Sequence, residues 1–477
     1  MNVVLFDSLR AWYPELILSA GGLLAVLLGA FGRGPRPAWV AAITAASAAT
    51  VALAQAPVPT PTGIFFGLIV CDPFSLAFRW LALWTVVLVF IMAASSRDLA
   101  PDLQGEVMGL VLLIGVGLML MAEANHLLMA YVALELVSLC SYLLVGMSRD
   151  ARSSEAALKY LLFGALCSGV MLFGMSLLFG LTGALEFPAI ARSAAALPAA
   201  DAPALTIAVI LMLAGLAFKI SMVPFHMWTP DVYEGAPTAV TAFLSVGPKA
   251  AGLALLLRLM TVVVPAWPAL APVMMALTAI TMTLGNLVAL VQTNVKRLLA
   301  YSTIAQVGYL LMGLVAHTGL GVNALVFYLT AYLFMNLGAF ACVVAVQNAT
   351  GSESVEAYRG LGQRAPLTAL ALAVCLLSLA GVPPLLGFFG KFLLFGAALQ
   401  AGQAPLAVIA AVNSAIALYY YVNLIRLMYF LPPEEPAPLR LDPALRAAAG
   451  VCAVVTLVLG VFPTVLLRFL STLLQTP

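Results

Sequence analysis

Lysine and arginine occupy different places in this chain of 477 residues. The five lysines are outnumbered by sixteen arginines, yet Lys159, Lys219, Lys249 and Lys391 fall inside long apolar runs, and only Lys296 stands at a loop end. A charge at bilayer depth costs roughly 3 kcal/mol on insertion scales. Arginine keeps its proton at any accessible pH, whereas a desolvated lysine can release one. Interior lysines therefore point to proton exchange; snorkelling to the interface or neutralising a carboxylate is the structural alternative. The matching acid is Glu135 in NHLLMAYVALELVSLC, set among apolar neighbours. Glu106 is a second candidate, and its position near the start of a run also suits an interfacial acid. His226 follows the Pro224 break in FKISMVPFHMW, where an imidazole would relay protons near neutral pH or bond the loop backbone. Asp231 and Glu234 suit capping of the next helix better than chemistry, and the cluster Tyr419, Tyr420, Tyr421 suits packing.

Positioning such groups falls to apolar helices. The chain is 64% hydrophobic and 8% charged, with mean hydropathy +1.11, which no soluble fold could cover. Runs of the length needed to cross ~30 Å of hydrocarbon number fourteen, the first near Pro14 and the last near Leu445. The fold class expected is an all-α polytopic membrane protein of about fourteen transmembrane helices. The stretch from Pro57 to Asp72, broken by prolines and carrying GIFFGLIV, reads as an extramembrane hairpin.

Two spans carry a proline break beside a lysine. Lys219 precedes Pro224 by five residues in the seventh, and GVPPLLGFFGK places Gly381, Pro383, Pro384 and Gly387 before Lys391 in the twelfth. Proline removes a backbone donor, which a membrane tolerates where protein or water satisfies the freed groups. Breaks five spans apart predict two inverted five-helix repeats, spans 4–8 and 9–13, with discontinuous helices at spans 7 and 12. The expected division is a three-helix segment over 1–100, a first repeat over 101–262, a second over 263–431, and a loop with helix 14 over 432–477.

Arg33, Arg36, Arg97, Arg149, Arg152, Lys296, Arg297, Arg359, Arg364, Arg440 and Arg446 fall in loops of one parity; Arg10, Arg192 and Arg468 fall in the other. The positive-inside rule then puts both termini on the outer face of a cell inner (plasma) membrane. Net charge +2 gives no case for nucleic acid. Cys71, Cys140, Cys167, Cys342, Cys375 and Cys452 lack metal-ligand spacing, and no Gly-rich nucleotide loop or haem pattern occurs. No metal or cofactor is expected in this chain.

The stretch GLAFKISMVPFHMWTPDVYEGAPTAVTAFLS, with KRLLAYSTIAQVGY and GVPPLLGFFGKF, strongly resembles the antiporter-like subunits of respiratory complex I, from about the fourth span to the end of the twelfth. Among those subunits it is most similar to subunit N; SEAALKYLLFGALCSGVMLFG resembles that subunit's sixth span, and a lysine at position 391 argues against subunit M, where glutamate is typical. The resemblance implies a proton-translocating membrane-arm subunit of NADH:quinone oxidoreductase. Glu135 and Lys219 would form an ion pair, Lys249 would carry the proton inward, Lys391 would be the exit-side lysine, Lys159 would modulate the pair, and His226 would belong to the hydrophilic axis. It implies NADH, FMN, iron–sulfur clusters and quinone in partner subunits, and subunits M, K and J and the lipid bilayer as neighbours. A sodium/proton antiporter or membrane-bound hydrogenase subunit shares the Glu–Lys–Lys pattern, and a non-pumping structural anchor would find the interior lysines dispensable.

Overall fold

The computed structural model describes residues 8–31, 36–56, 62–433 and 437–474; Arg33 lies outside them. A three-helix N-terminal segment opens with α1 (Tyr13–Phe31) and α2 (Arg36–Gln55). A hairpin of β1 (Thr62–Ile64) and β2 (Ile69–Cys71) follows, pairing Thr62 with Cys71 and Ile64 with Ile69, where an extramembrane hairpin was expected. Then come α3 (Pro73–Ser95), α4 (Gln104–Glu123), α5 (Leu127–Val145), α6 (Ala151–Thr182) and a short α7 (Phe187–Ala195). Asp72 caps α3 with a reciprocal bond to Ser75, and His126 caps α5 by accepting from the Leu128 amide.

The chain continues through α8 (Ala202–Ile220), α9 (Trp228–Gly235), α10 (Thr238–Val263), α11 (Trp267–Ala289), α12 (Val295–Val315) and α13 (Gly319–Thr350). The remaining long helices are α14 (Pro366–Ala380), α15 (Leu386–Gln400), α16 (Ala404–Phe430), α17 (Pro443–Val461) and α18 (Pro463–Leu474). Among the described residues thirteen helices are long and apolar enough to cross a membrane, and the stretch expected to be the twelfth span is instead the two shorter helices α14 and α15.

Burial sorts these helices into two layers. α4, α10, α12 and α13 are enclosed on almost every side, whereas α1, α2, α6, α11, α16 and α17 present one side outward. Leu162, Leu166 and Phe173 are exposed along α6. Such a surface suits hydrocarbon or a neighbouring subunit, because in water it would be a liability. The protein is a multi-pass membrane protein.

Both expected breaks are present, and each ends a helix in the left-handed region. Ser221 follows α8 at φ 65°, Gly381 follows α14 at φ 92°, and the peptide bonds Val223–Pro224 and Pro383–Pro384 are cis. Left-handed backbone costs a non-glycine residue roughly 1–2 kcal/mol. At Ser221 the surroundings hold it: Met222 N donates to Ala217 O at 2.8 Å, and Thr229 Oγ1 donates to Ser221 Oγ at 2.7 Å. A Cβ on Gly381 would also press within 3.1 Å of Lys391 Cδ. The loop expected from Pro224 to Ala236 is mostly the eight-residue helix α9, seated by Trp228, whose indole N–H donates to Phe218 O at 3.1 Å. α10 runs through Pro248 without interruption, although Gly247 and Pro248 suggest a weakened helix.

Candidate functional site: a row of enclosed lysines

Lys219 lies in the last turn of α8 and is wholly buried, where the carbonyl end of the helix favours a cation. Its Nζ donates to Ser138 Oγ at 3.1 Å and stands 5.8 Å from the Tyr160 ring centre. Glu135, one turn before Ser138 on α5, accepts from Ser168 Oγ of α6 at 2.5 Å. Each member of the expected ion pair thus engages a neighbouring hydroxyl instead of the other.

Lys249 of α10 is also wholly buried, and its Nζ has no hydrogen-bond partner among the described residues. It lies over two rings instead, 4.5 Å from the centre of Trp228 and 5.3 Å from that of Tyr233, an arrangement that stabilises a cation where water is excluded. Trp228 stacks on Tyr160 with centroids 4.2 Å apart and planes 12° apart. Lys219 and Lys249 therefore each sit over one ring of a stacked pair, near enough for their charges to repel.

Lys391 lies in the second turn of α15, buried, 4.3 Å above the Tyr309 ring. It donates to Ala380 O at 3.0 Å and to Ser414 Oγ at 3.2 Å. Ala380 ends α14, so the carbonyl freed by the break holds the cation, the use to which broken membrane helices are commonly put.

Between Lys249 and Lys391 runs a stripe of neutral polar groups on α12. Tyr233, beneath Lys249, has no hydrogen-bond partner for its hydroxyl among the described residues, and Thr303 accepts from Tyr332 Oη at 3.0 Å. Beside it Ser302 shares a 2.5 Å hydrogen bond with Tyr421, and Tyr421 Oη accepts from Gln306 Nε2 at 3.4 Å. Gln306 Oε1 accepts from Tyr328 at 2.5 Å, and Tyr309, under Lys391, accepts from Asn286 Nδ2 at 3.2 Å. Ser302, Gln306 and Tyr309 recur at four and three residues, one face of a helix. Asn336 Nδ2, donating to Ser245 Oγ at 2.6 Å, adds a polar pair between α13 and α10. Tyr420 and Tyr421 thus belong to this network, contrary to the packing role that their sequence suggests, while Tyr419 faces outward.

Three of the expected residues lie elsewhere. Lys159 is partly exposed near the start of α6 and pairs with Glu155 at 2.8 Å and Asp231 at 3.1 Å; its position one helical turn from that surface carboxylate keeps it from the interior. Glu106 occupies the first turn of α4, where an acid complements the helix dipole, packed against Gly29 and away from Glu135. His226 sits in the break itself, partly buried, with Nδ1 lacking a hydrogen-bond partner among the described residues.

Lys296 corrects the sequence reading in the other direction. It is buried, donating to Ala236 O at 2.7 Å and pairing with Glu353 at 2.9 Å. Arg152 joins Glu353 at 2.8 Å and Glu234 at 3.0 Å, and Arg297 joins Asp231 at 2.9 Å and Glu234 at 2.7 Å. Lys296, Glu353, Arg152 and Glu234 border a polar cavity of about 630 Å³ that Asp98 and Asp150 also line. Burial alone would raise the Glu353 carboxyl, but Lys296 with hydrogen bonds from Lys296, Asn294 and Arg152 holds it below the usual carboxylate range. Asp231 is held low in the same way, its partial burial outweighed by Lys159 and Arg297. Among the described residues no three His, Cys, Asp or Glu side chains gather as metal ligands would.

Residues 124–417 match the family described as NADH:quinone oxidoreductase/Mrp antiporter, transmembrane. NADH-quinone oxidoreductase subunit N of Anaeromyxobacter sp. (strain Fw109-5) is 42% identical over 509 residues, covering 98% of each chain. Subunit N 2 of Sorangium cellulosum (strain So ce56) is 45% identical over 483 residues, covering 95% of each. A chain of respiratory complex I from Thermus thermophilus with bound aureothin is 35% identical, with a TM-score of 0.82 over 95% of this chain and 98% of that one. The chain belongs to the NADH:quinone oxidoreductase/Mrp antiporter family, as an antiporter-like membrane-arm subunit of an NADH:quinone oxidoreductase complex.

Proposed function

We propose that this subunit moves protons along the lysine row, coupled to electron transfer from NADH to quinone in partner subunits. The observation that carries the reading is the row itself. Three lysines lie buried, with neutral hydrogen-bonding side chains rather than fixed counter-charges around them. A proton on Lys219 is supported by the field of Glu135. Moving that anion away matters, because the interaction of two charges falls inversely with their separation and is weakly screened where water is excluded. The proton then passes by the stacked rings to Lys249 and along the α12 stripe to Lys391, which returns it at the second break. Lys159 acts from outside this path by holding Asp231, and Glu106 and His226 are supporting groups.

The two halves, 101–262 and 263–431, act as inverted repeats in this reading. Parallels between them support it: α6 and α13 both have 32 residues. The isolated bridges His126–Glu186 and Asn294–Ser354 occupy corresponding connections. FMN, iron–sulfur clusters and the quinone site belong to partners, with M-, K- and J-type subunits as membrane neighbours. The membrane is the plasma membrane, both termini facing outward. The test is Lys391→Ala in the assembled complex, read as NADH-driven acidification of inverted vesicles. Acidification should fall at least about tenfold, the equivalent of about 1.4 kcal/mol; acidification at the wild-type rate would exclude Lys391 from the path.

A further inference from the structure

A second enclosed cluster of charges lies at the hairpin end of the bundle, on α1, α3 and α4. Arg79, in the second turn of α3, approaches Glu15 of α1 at 2.8 Å and Glu123 of α4 at 2.5 Å, both through Nε. Both carboxylate side chains are fully enclosed and that of Arg79 is 4% exposed. The guanidinium Nη2 turns to Ala11 O at 3.4 Å and to Cys71 Sγ at 3.4 Å. Among the described residues no further cation pairs with the second acid. The neighbouring pair is already neutral, since Arg258 grips Asp72 through two contacts of 2.6 Å. Oε2 of Glu15 and Oε2 of Glu123 have no hydrogen-bond partner among the described residues.

Two carboxylates crowd one nitrogen, and an ionised carboxyl only accepts hydrogen bonds. Fully ionised, the trio leaves one negative charge uncompensated in the interior, where desolvation of a single ion costs several kcal/mol. Acids that share a site in this way ionise one at a time, and the site takes up protons as a pair. A single proton resolves both problems. It cancels the excess charge, and it converts one carboxyl oxygen into a donor toward the other acid.

We propose that Glu15 and Glu123 hold one proton between them, clamped by Arg79, as a proton-binding site separate from the lysine row. Among the described residues the charged and titratable groups facing it are Arg79 and the Cys71 thiol, with the Asp72–Arg258 pair beyond. The proton comes from the aqueous phase at the hairpin end. Its presence ties the N-terminal helices and the hairpin to α4, which leads through Ala124, Asn125 and His126 directly into the helix bearing Glu135. The proposal stands independently of the relay.

Infrared spectra of the purified complex, wild type minus variant, test it together with assembly on native gels. Glu15→Gln and Glu123→Gln should each assemble at near wild-type levels, because an amide replaces the protonated acid in shape and supplies its donor. Each should also lose one protonated-carboxyl C=O band at neutral pH, the remaining acid being ionised against Arg79. The double variant leaves the guanidinium alone, and assembly should drop at least about tenfold. A carboxyl band unchanged in both single variants would overturn the proposal, as would either single variant assembling as poorly as the double one.

Discussion

Replacing Lys249 by methionine separates a working lysine from a structural one, because the two roles predict opposite results. The Lys249 ammonium is fully enclosed, makes no hydrogen bond among the described residues, and lies 4.5 Å from the centre of Trp228. Burying an ammonium without a hydrogen-bond partner costs several kcal/mol. A desolvated cation–π contact returns about 2 kcal/mol at best. Methionine keeps most of the apolar stem, so the volume change adds little, under about 1.5 kcal/mol. The desolvation cost exceeds what the rings return, so Lys249→Met should assemble at least as well as wild type. Proton movement should nevertheless fall at least about tenfold, since no amine remains between Lys219 and the α12 stripe. Quinone-linked NADH oxidation and vesicle acidification, beside native-gel assembly, provide the assay. Undiminished pumping would refute the relay step at this residue. A complex that fails to assemble would instead show that the ammonium has a structural partner, and the reasoning about its isolation would be wrong.

Other outcomes follow from the same geometry. Tyr421→Phe removes the hydroxyl that joins Ser302 to Gln306; stability should drop about 1 kcal/mol while pumping slows with every lysine in place, measured as acidification per NADH oxidised. Glu353→Gln strips Lys296, whose side chain is 2% exposed, of its carboxylate; breaking such a pair costs about 3–5 kcal/mol, and adding Lys296→Met should recover part of the lost assembly in a double-mutant cycle. Acid should loosen this same network. Glu353 and Asp231 are held below the ordinary carboxylate range, so their stabilisation is complete above the unfolded value, about pH 4, and is lost as pH falls through their depressed values. Thermal inactivation of the complex should therefore be flat from neutral pH down to mild acid and steepen only below it, less so in Glu353→Gln.

Much of the site was legible because membranes make charge conspicuous. Lys219, Lys249 and Lys391 stood out as cations in apolar sequence, and the prolines beside two of them announced the breaks. What escaped was polar rather than charged. Ser302, Gln306 and Tyr309 share a face of α12, yet as uncharged residues in an apolar span they do not reveal a polar stripe until facing tyrosines from α13 and α16 are in place. Lys296 looked peripheral because Glu353, its partner, is 57 residues away in sequence. Lys159 looked interior because hydropathy cannot tell the first two turns of a span from its middle. Arg79, Glu15 and Glu123 escaped for a related reason, each standing near a helix end where a lone charge is unremarkable, and only packing brings them together.

The most direct measurement is NADH-driven acidification of inverted membrane vesicles carrying Lys219→Ala, beside NADH–ferricyanide activity as a control for assembly. The relay predicts that ferricyanide reduction survives while quinone-linked turnover and acidification fall together. Acidification and quinone reduction at wild-type rates would show that Lys219 is structural, and that protons do not travel by this row.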